Sequence, residues 1–223
     1  MDWVCEIACT GDASRAEARA WVDGAVPAWK TLPGLTALDL YWPAEGRARD
    51  PFNDDGPGPL FIAMLSFPSR EALSAAVAKA AFGGRSPALA LTTTGFERRF
   101  YPVAGETKPA PLTAPFSYVV RYHRPAADEA AFVKNYVATH PPTLAKLPGI
   151  RSVMCYFPQD ILMPTVPTAD TMIGNEVVFD DVAAFNIAMQ SPVRQELRRH
   201  FHEFPRFTGR NTHFAMNRTR LFG

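Results

Sequence analysis

His140 stands directly before Pro141 and Pro142, at the end of a stretch whose apolar residues Phe132, Val133, Tyr136, Val137 and Leu144 recur at helical spacing. An imidazole there can act as general acid or base near neutral pH. Equally, its ring can bond a carbonyl that the two prolines leave unpaired at a broken helix end. His123 lies in the strand-like run 117–124, where alternation puts Val119, Arg121 and His123 on one face and Tyr118, Tyr122 and Arg124 on the other. Arg121 on an apolar face needs a carboxylate partner or must bind an anionic group of a substrate, a carboxylate or enolate. Tyr156 and Tyr41 can hydrogen-bond a substrate carbonyl or donate a proton, or serve as core aromatics with the hydroxyl at the rim. His140, His123 and Tyr156 are thus the catalytic candidates, and Arg121, Tyr122 and Tyr41 the candidate substrate contacts. Asp39 sits among apolar neighbours and invites the same two readings, while His213 is a candidate third histidine of the same interior.

One basic cluster remains, Arg198-Arg199-His200-Phe201-His202-Glu203 with Arg206 and Arg210. It could recruit an anionic ligand group or be a solvated helix face. His200 and His202 point to different sides of a helix, so they hold no metal, and no C-x-x-C pair exists for zinc. Cys5, Cys9 and Cys155 are too few for a disulfide framework and read as small core residues in a reducing compartment. Gly83-Gly84 lacks the setting of a phosphate loop, and no G-x-S-x-G nucleophile signature occurs. Nucleotide dependence is therefore not indicated.

With 23 basic and 22 acidic residues, the chain carries a formal charge of +1, which excludes the strong basic field used on nucleic acid or anionic membranes. No segment approaches the roughly 18–20 apolar residues of a membrane span, and the N-terminus lacks a signal-like pattern. The expectation is a cytoplasmic protein whose partners are small molecules or proteins.

The elements that position these residues occur twice. Leu-Pro-Gly at 32–34 returns at 147–149, and the same shift of 115 aligns Trp3 with Tyr118, Trp21 with Tyr136, Pro27 with Pro142 and Tyr41 with Tyr156. Each copy reads strand, helix, strand, strand, helix, strand: 3–9, 14–31, 35–42, 60–67, 69–82 and about 95–101, then 117–124, 128–146, 150–157, 173–179, 181–190 and about 211–220. Asp12 and Asp128 are candidate caps, the first helix of each copy is expected to bend or restart at its prolines, and the last helix to continue or restart near Ser191-Pro192. Residues 1–104 form a first ferredoxin-like repeat, 105–115 a proline-rich linker and 116–223 a second repeat. The strands are apolar on both faces, so the α+β fold class follows: two βαββαβ repeats whose sheets face each other in an α+β barrel. The shift also places Glu6 opposite Arg121 as a partner across the sheets. The loop 43–59 is charged, whereas 158–172 holds Ile161, Leu162, Met163 and Val166, so 160–166 is expected to lid the second-repeat cavity or to pack in a homodimer.

Tyr122-His-Arg-Pro125, Phe132, Tyr136, His140-Pro-Pro142, Leu144-Ala-Lys-Leu-Pro-Gly-Ile150 and Tyr156 together resemble the EthD-like family of the dimeric α/β-barrel superfamily. The first repeat departs from the pattern, with Ala25 where the second has His140 and Ala8 where it has His123, so the candidate site belongs to the second repeat. The resemblance implies a cofactor-independent enzyme, a monooxygenase or an isomerase or lyase, whose partner is a hydrophobic small molecule, an aromatic or lactone-like catabolic intermediate. The alternative is a non-catalytic ligand-binding or accessory protein of an oxygenase system; relatives in the superfamily also include haem binders, so that the resemblance admits haem as a minor possibility beside the expectation of no cofactor, with His140 or His123 as its axial ligand.

Overall fold

A computed structural model describes residues 2–53, 55–56, 58–78, 80, 82, 88–161 and 165–223. The first copy runs β1 (Asp2–Thr10), α1 (Arg15–Lys30), β2 (Ala37–Pro43), β3 (Phe61–Phe67), α2 (Arg70–Val77) and β4 (Ala90–Tyr101). The second runs β5 (Phe116–His123), α3 (Glu129–Leu144), β6 (Ser152–Pro158), β7 (Thr171–Phe179), α4 (Val182–Met189), α5 (Pro192–Glu203) and β8 (Asn211–Phe222). Among the described residues the strands close one antiparallel barrel in the order β1-β3-β2-β8-β5-β7-β6-β4. The expected α+β barrel is the fold observed. Closure comes from two seams between the copies, β2 on β8 with Tyr41 opposite Arg218, and β4 on β6 with Arg98 opposite Tyr156. No helix among the described residues is long and apolar enough to cross a membrane.

Strand alternation sorts the side chains into three cores. Cys5, Ile7, Phe61 and Leu65 point outward and meet Val22 and Trp29 of α1 and Leu73 of α2. Tyr118, Val120, Tyr122 and Val177 meet Phe132 and Tyr136 of α3, Phe185 of α4 and Leu197 of α5. Val4, Tyr41, Met64, Phe96, Val119, Met154, Tyr156 and Met216 fill the barrel itself. The three cysteines are free and buried.

Several local expectations change. Ser14, not Asp12, caps α1, its side chain and that of Glu17 forming a reciprocal capping box; Asp128 caps α3 as expected. Neither α1 nor α3 breaks at its prolines. Pro141 and Pro142 fall in the last turn of α3, where they remove only two bonds, and Pro27 removes one from a helix held to the core by Val22, Ala25 and Trp29. The last helix does restart at Pro192, giving α5, while α2 ends at Val77; Lys79 and Ala81, which were expected to extend it, lie outside the described residues, as do Gly83-Gly84.

The long loops cross over. Ile161 is buried in the first-copy core and Val166 packs on it, while the backbone of Thr93 bonds Pro167 and Ala169. This loop therefore does not lid the second-copy cavity; Leu162 and Met163 lie outside the described residues. The charged loop after β2 covers that side instead, with Asn186 of α4 accepting from the Arg49 N–H and donating to the Arg47 carbonyl.

Candidate active site

The second-copy cavity lies between the outer face of the sheet, α3, α5 and the loop after β2. β5 contributes Tyr118, Val120 and Tyr122, and β7 contributes Asn175 and Val177. α3 supplies His140 and Leu144, and β8 supplies Asn211 and His213. α5 starts at Pro192, a residue suited to a first turn because its missing N–H would be unpaired there anyway. From it Arg194 and Arg198, and Leu197 and Phe201, reach the cavity as pairs spaced by four. Its enclosed part measures ≈ 50 Å³, room for about three or four waters, and the cavity is open to solvent on one side, so a larger ligand can extend out of it.

Asp50 fastens the loop over this space. It accepts Arg194 Nη2 at 2.7 and 2.9 Å and Nε at 3.1 Å, the Tyr118 hydroxyl at 3.1 Å, and its own neighbours Phe52 N and Asn53 Nδ2 at 3.0 Å. The Asp50 and Arg194 side chains are 3% and 10% exposed, so the pair is a buried clamp. Asp55 makes the next fastening, accepting both the backbone N–H and Nδ1 of His213, at 2.6 and 2.8 Å. Burial alone would raise the Asp55 carboxyl, but the bonds and charge of His213 hold it below its usual value.

His140 forms part of the cavity wall, 7% exposed, with its ring 4.8 Å from Tyr136, 5.2 Å from Phe204 and 6.3 Å from His200. Its Nδ1 is buried without a hydrogen-bond partner, as are Asn175 Oδ1 and His200 Nδ1. The capping alternative is thus not what the ring does. Burial pushes the imidazole down to about 3, and His200, Arg194 and His213 act in the same direction. Nearby, Asn175 Nδ2 donates to the Tyr136 hydroxyl, and burial raises the Tyr122 hydroxyl against the pull of Arg194 and Arg198.

The other candidates lie elsewhere. Tyr156 is in the barrel interior, donating to Glu176 at 2.5 Å, and its hydroxyl is pushed up by burial and by that carboxylate. Tyr41 is also interior, its hydroxyl without a partner. Arg121 is paired with Glu6, which accepts its Nε at 3.2 Å, and its guanidinium lies 4.5 Å from the centre of the Tyr156 ring. The carboxylate partner is therefore the observed role, not an open anion site. Asp39 likewise holds Arg218 and Arg220. His123 stands at the end of β5 between Asp170 at 2.8 Å and Thr212 at 3.4 Å. The sheet separates His140 from Tyr156, so the expected catalytic trio does not converge. Of the six candidates, His140 and Tyr122 line the cavity. His213 does too, on the outer face stacked at 5.8 Å on Tyr118, and not in the barrel interior as expected.

Sequence reasoning missed Asp50, Asn53, Asn175 and Arg194. One signal was available: the second copy carries α5, with no counterpart among the described helices of the first. Of the two readings open to the basic cluster, now on α5, Arg198 takes the ligand-facing one, since it lines the cavity.

No protein-family model matches the chain, and no curated protein matches it in sequence. Solved structures do match in fold. An anthrone oxidase-like protein aligns with TM-score 0.67 at 12% identity, over 98% of this chain and 93% of that one. A candidate monooxygenase of Lactobacillus acidophilus gives 0.55 at 12%, over 99% and 96%. A chlorite dismutase variant of Candidatus Nitrospira defluvii, solved in complex with cyanide, gives 0.52 at 11%, over 96% and 90%. The expectation of a cofactor-free protein does not stand, because chlorite dismutases share the fold and the superfamily resemblance that suggested that expectation also carries haem binding. Haem on the two expected ligands does not fit this geometry, however. The His140 ring lies 4.8, 5.2 and 6.3 Å from the rings of Tyr136, Phe204 and His200, which occupy the space a macrocycle on it would need, and both nitrogens of His123 face Asp170 and Thr212. At these identities the likeness shows the fold, the α+β barrel of the dimeric-barrel proteins.

Proposed function

We propose that the protein is an EthD-like enzyme of oxidoreductase type, and that its second copy, through the cavity under α5, binds a hydrophobic aromatic small molecule and moves a proton at His140. The supporting observation is the His140 ring: buried, unpartnered at Nδ1, and facing a cavity that sets aromatic and aliphatic walls beside Asp50, Arg194 and Arg198. With its pKa depressed to about 3 it is unprotonated at neutral pH and ready to accept a proton. It becomes an effective base when the anion it creates stays beside it, since an adjacent negative charge favours the imidazolium. Tyr122 orients the ring of the ligand, and the Asp50–Arg194 clamp holds the loop over it. The first copy serves as scaffold: Ile161 fills its corresponding outer core, and Ala25 replaces the histidine.

The fold likeness to an anthrone oxidase-like protein recommends anthrone as the first substrate to try. Oxygen uptake with anthrone is expected for the wild-type chain, with a fall of about 10²-fold in His140→Gln. Equal uptake by both proteins overturns the role of His140. Binding of anthrone and of lactone analogues without turnover by the wild-type chain favours the accessory, ligand-carrying reading.

A further inference from the structure

We propose that the cavity under α5 takes the ionised oxygen of an acidic aromatic ligand, with Arg198 as its counter-ion and His140 beside it. This rests on the cavity being the site and adds the charge of its ligand. The charged residues lining it are Asp50, Arg194 and Arg198. Asp50 is spent on Arg194, on the Tyr118 hydroxyl and on its own loop. Arg198 has no ion pair among the described residues; it is held by stacking, its guanidinium 5.2 Å from the ring centres of both Phe52 and Phe201. The described lining is thus one negative charge short, and the surplus cation sits on aromatic rings where a flat ligand would be sandwiched. Its field reaches the Tyr122 hydroxyl across the cavity. The buried Nδ1 of His140 lacks a partner and lies in the same wall. An oxyanion satisfies both groups, supplying the missing charge to Arg198 and a hydrogen-bond acceptor to the imidazole.

The other charged groups nearby are committed. Asp55 is tied to His213, and Glu196 faces outward to Lys146. A neutral aromatic ligand would fill the apolar walls yet leave Arg198 without a counter-charge.

The test uses 4-nitrophenol, whose ionised form has its own visible absorption band, and the non-ionisable 4-nitroanisole, each titrated into the intact chain. The wild-type protein is expected to bind the phenolate about 10- to 1,000-fold more tightly than the phenol, so the phenolate band grows on binding below the pH at which the free probe ionises. Arg198→Gln is expected to lose at least about tenfold of that preference while still binding 4-nitroanisole, and Arg198→Lys to keep part of it. Binding of 4-nitrophenol in its neutral form, or an unchanged preference in Arg198→Gln, overturns the proposal. Failure of both probes to bind overturns it together with the placement of the site. Because the readout is an equilibrium spectrum, it separates from the enzyme reading: oxygen uptake without phenolate preference removes this inference alone, and phenolate preference without uptake removes the other alone.

Discussion

Replacing Glu6 by Gln is expected to destabilise the barrel severely, because it strands Arg121 inside. The two side chains are 7% and 6% exposed, and Arg121 also donates to the carbonyls of Val120 and Asn175, at 2.8 and 3.3 Å. Those bonds fix its position but carry no compensating charge. Removing one partner of a buried ion pair costs about 3–5 kcal/mol. Each kcal/mol lowers the Tm of a chain of this size by about 2–4 °C, so the melt should fall by roughly 6–20 °C. The double variant Glu6→Leu with Arg121→Met removes both charges and both desolvation costs, and is expected within about 1–2 kcal/mol of wild type. Urea titration of wild type, Glu6→Leu, Arg121→Met and the double variant, alongside thermal scans, measures the coupling. A Glu6→Gln protein melting within about 2 °C of wild type would refute the reasoning. Arg121 would then tolerate isolation, as a substrate-binding arginine must before its ligand arrives.

Three further outcomes follow from the same geometry. Asp50→Ala frees the loop after β2 from Arg194 and costs about 3 kcal/mol or more, and trypsin should cleave after Arg47 and Arg49 faster than in wild type; unchanged digestion would mean the clamp does not hold the loop. His140 is depressed to about 3 in the folded chain and titrates near 6.5 unfolded, so the unfolded state binds more protons between these values and stability is lost as pH falls below about 6.5. Between pH 6.5 and 4.5 wild type should lose about 2–3 kcal/mol more than His140→Gln in urea titrations, and parallel losses would place the depression elsewhere. Gly174→Ala puts a Cβ 2.7 Å from Arg121 Nη1 and 2.9 Å from its Cδ, and with the guanidinium anchored on Glu6 the displacement should cost about 1–3 kcal/mol by thermal melting.

The barrel was legible because its signals are local and repeated. Strand alternation and the recurring Leu-Pro-Gly give both sheets, and the shift that aligns them also pairs Glu6 with Arg121, since equivalent strands of two facing sheets point at one another. The site was legible only in pieces. His140 and Tyr156 are both recognisable as polar residues in apolar segments, but which face of the sheet a helix covers is a tertiary fact, and it puts them in different compartments. Helix breaking at Pro141-Pro142 is a sound local rule that loses to packing when only the final turn is affected. Asp50 and Arg194 are 144 residues apart, and nothing in a charged loop indicates which cation it will meet.

Barrel closure supplies the reason the loops exchange sides. The loop after β2 leaves the barrel at the β2–β8 seam, so it emerges beside α4 and α5 of the other copy, where Asp50 meets Arg194 and Asp55 meets His213. The loop after β6 leaves at the β4–β6 seam and emerges over the first copy, where Gln159 N bonds the Gly95 carbonyl and Ile161 Cδ1 would lie only 2.8 Å from a Cβ placed on Gly95. Both crossings follow from one topology, but their consequences differ with loop sequence. A branched aliphatic side chain fills the first outer core, whereas a carboxylate over the second must be met by a cation, and α5 provides Arg194 for it. α5 also provides Arg198 one turn further on, beyond the reach of Asp50, and this second cation faces the cavity without a described carboxylate. The second copy alone would hold Arg194 without Asp50, and the first alone would hold Asp50 without a cavity to close, so the candidate site exists only because the two seams join them.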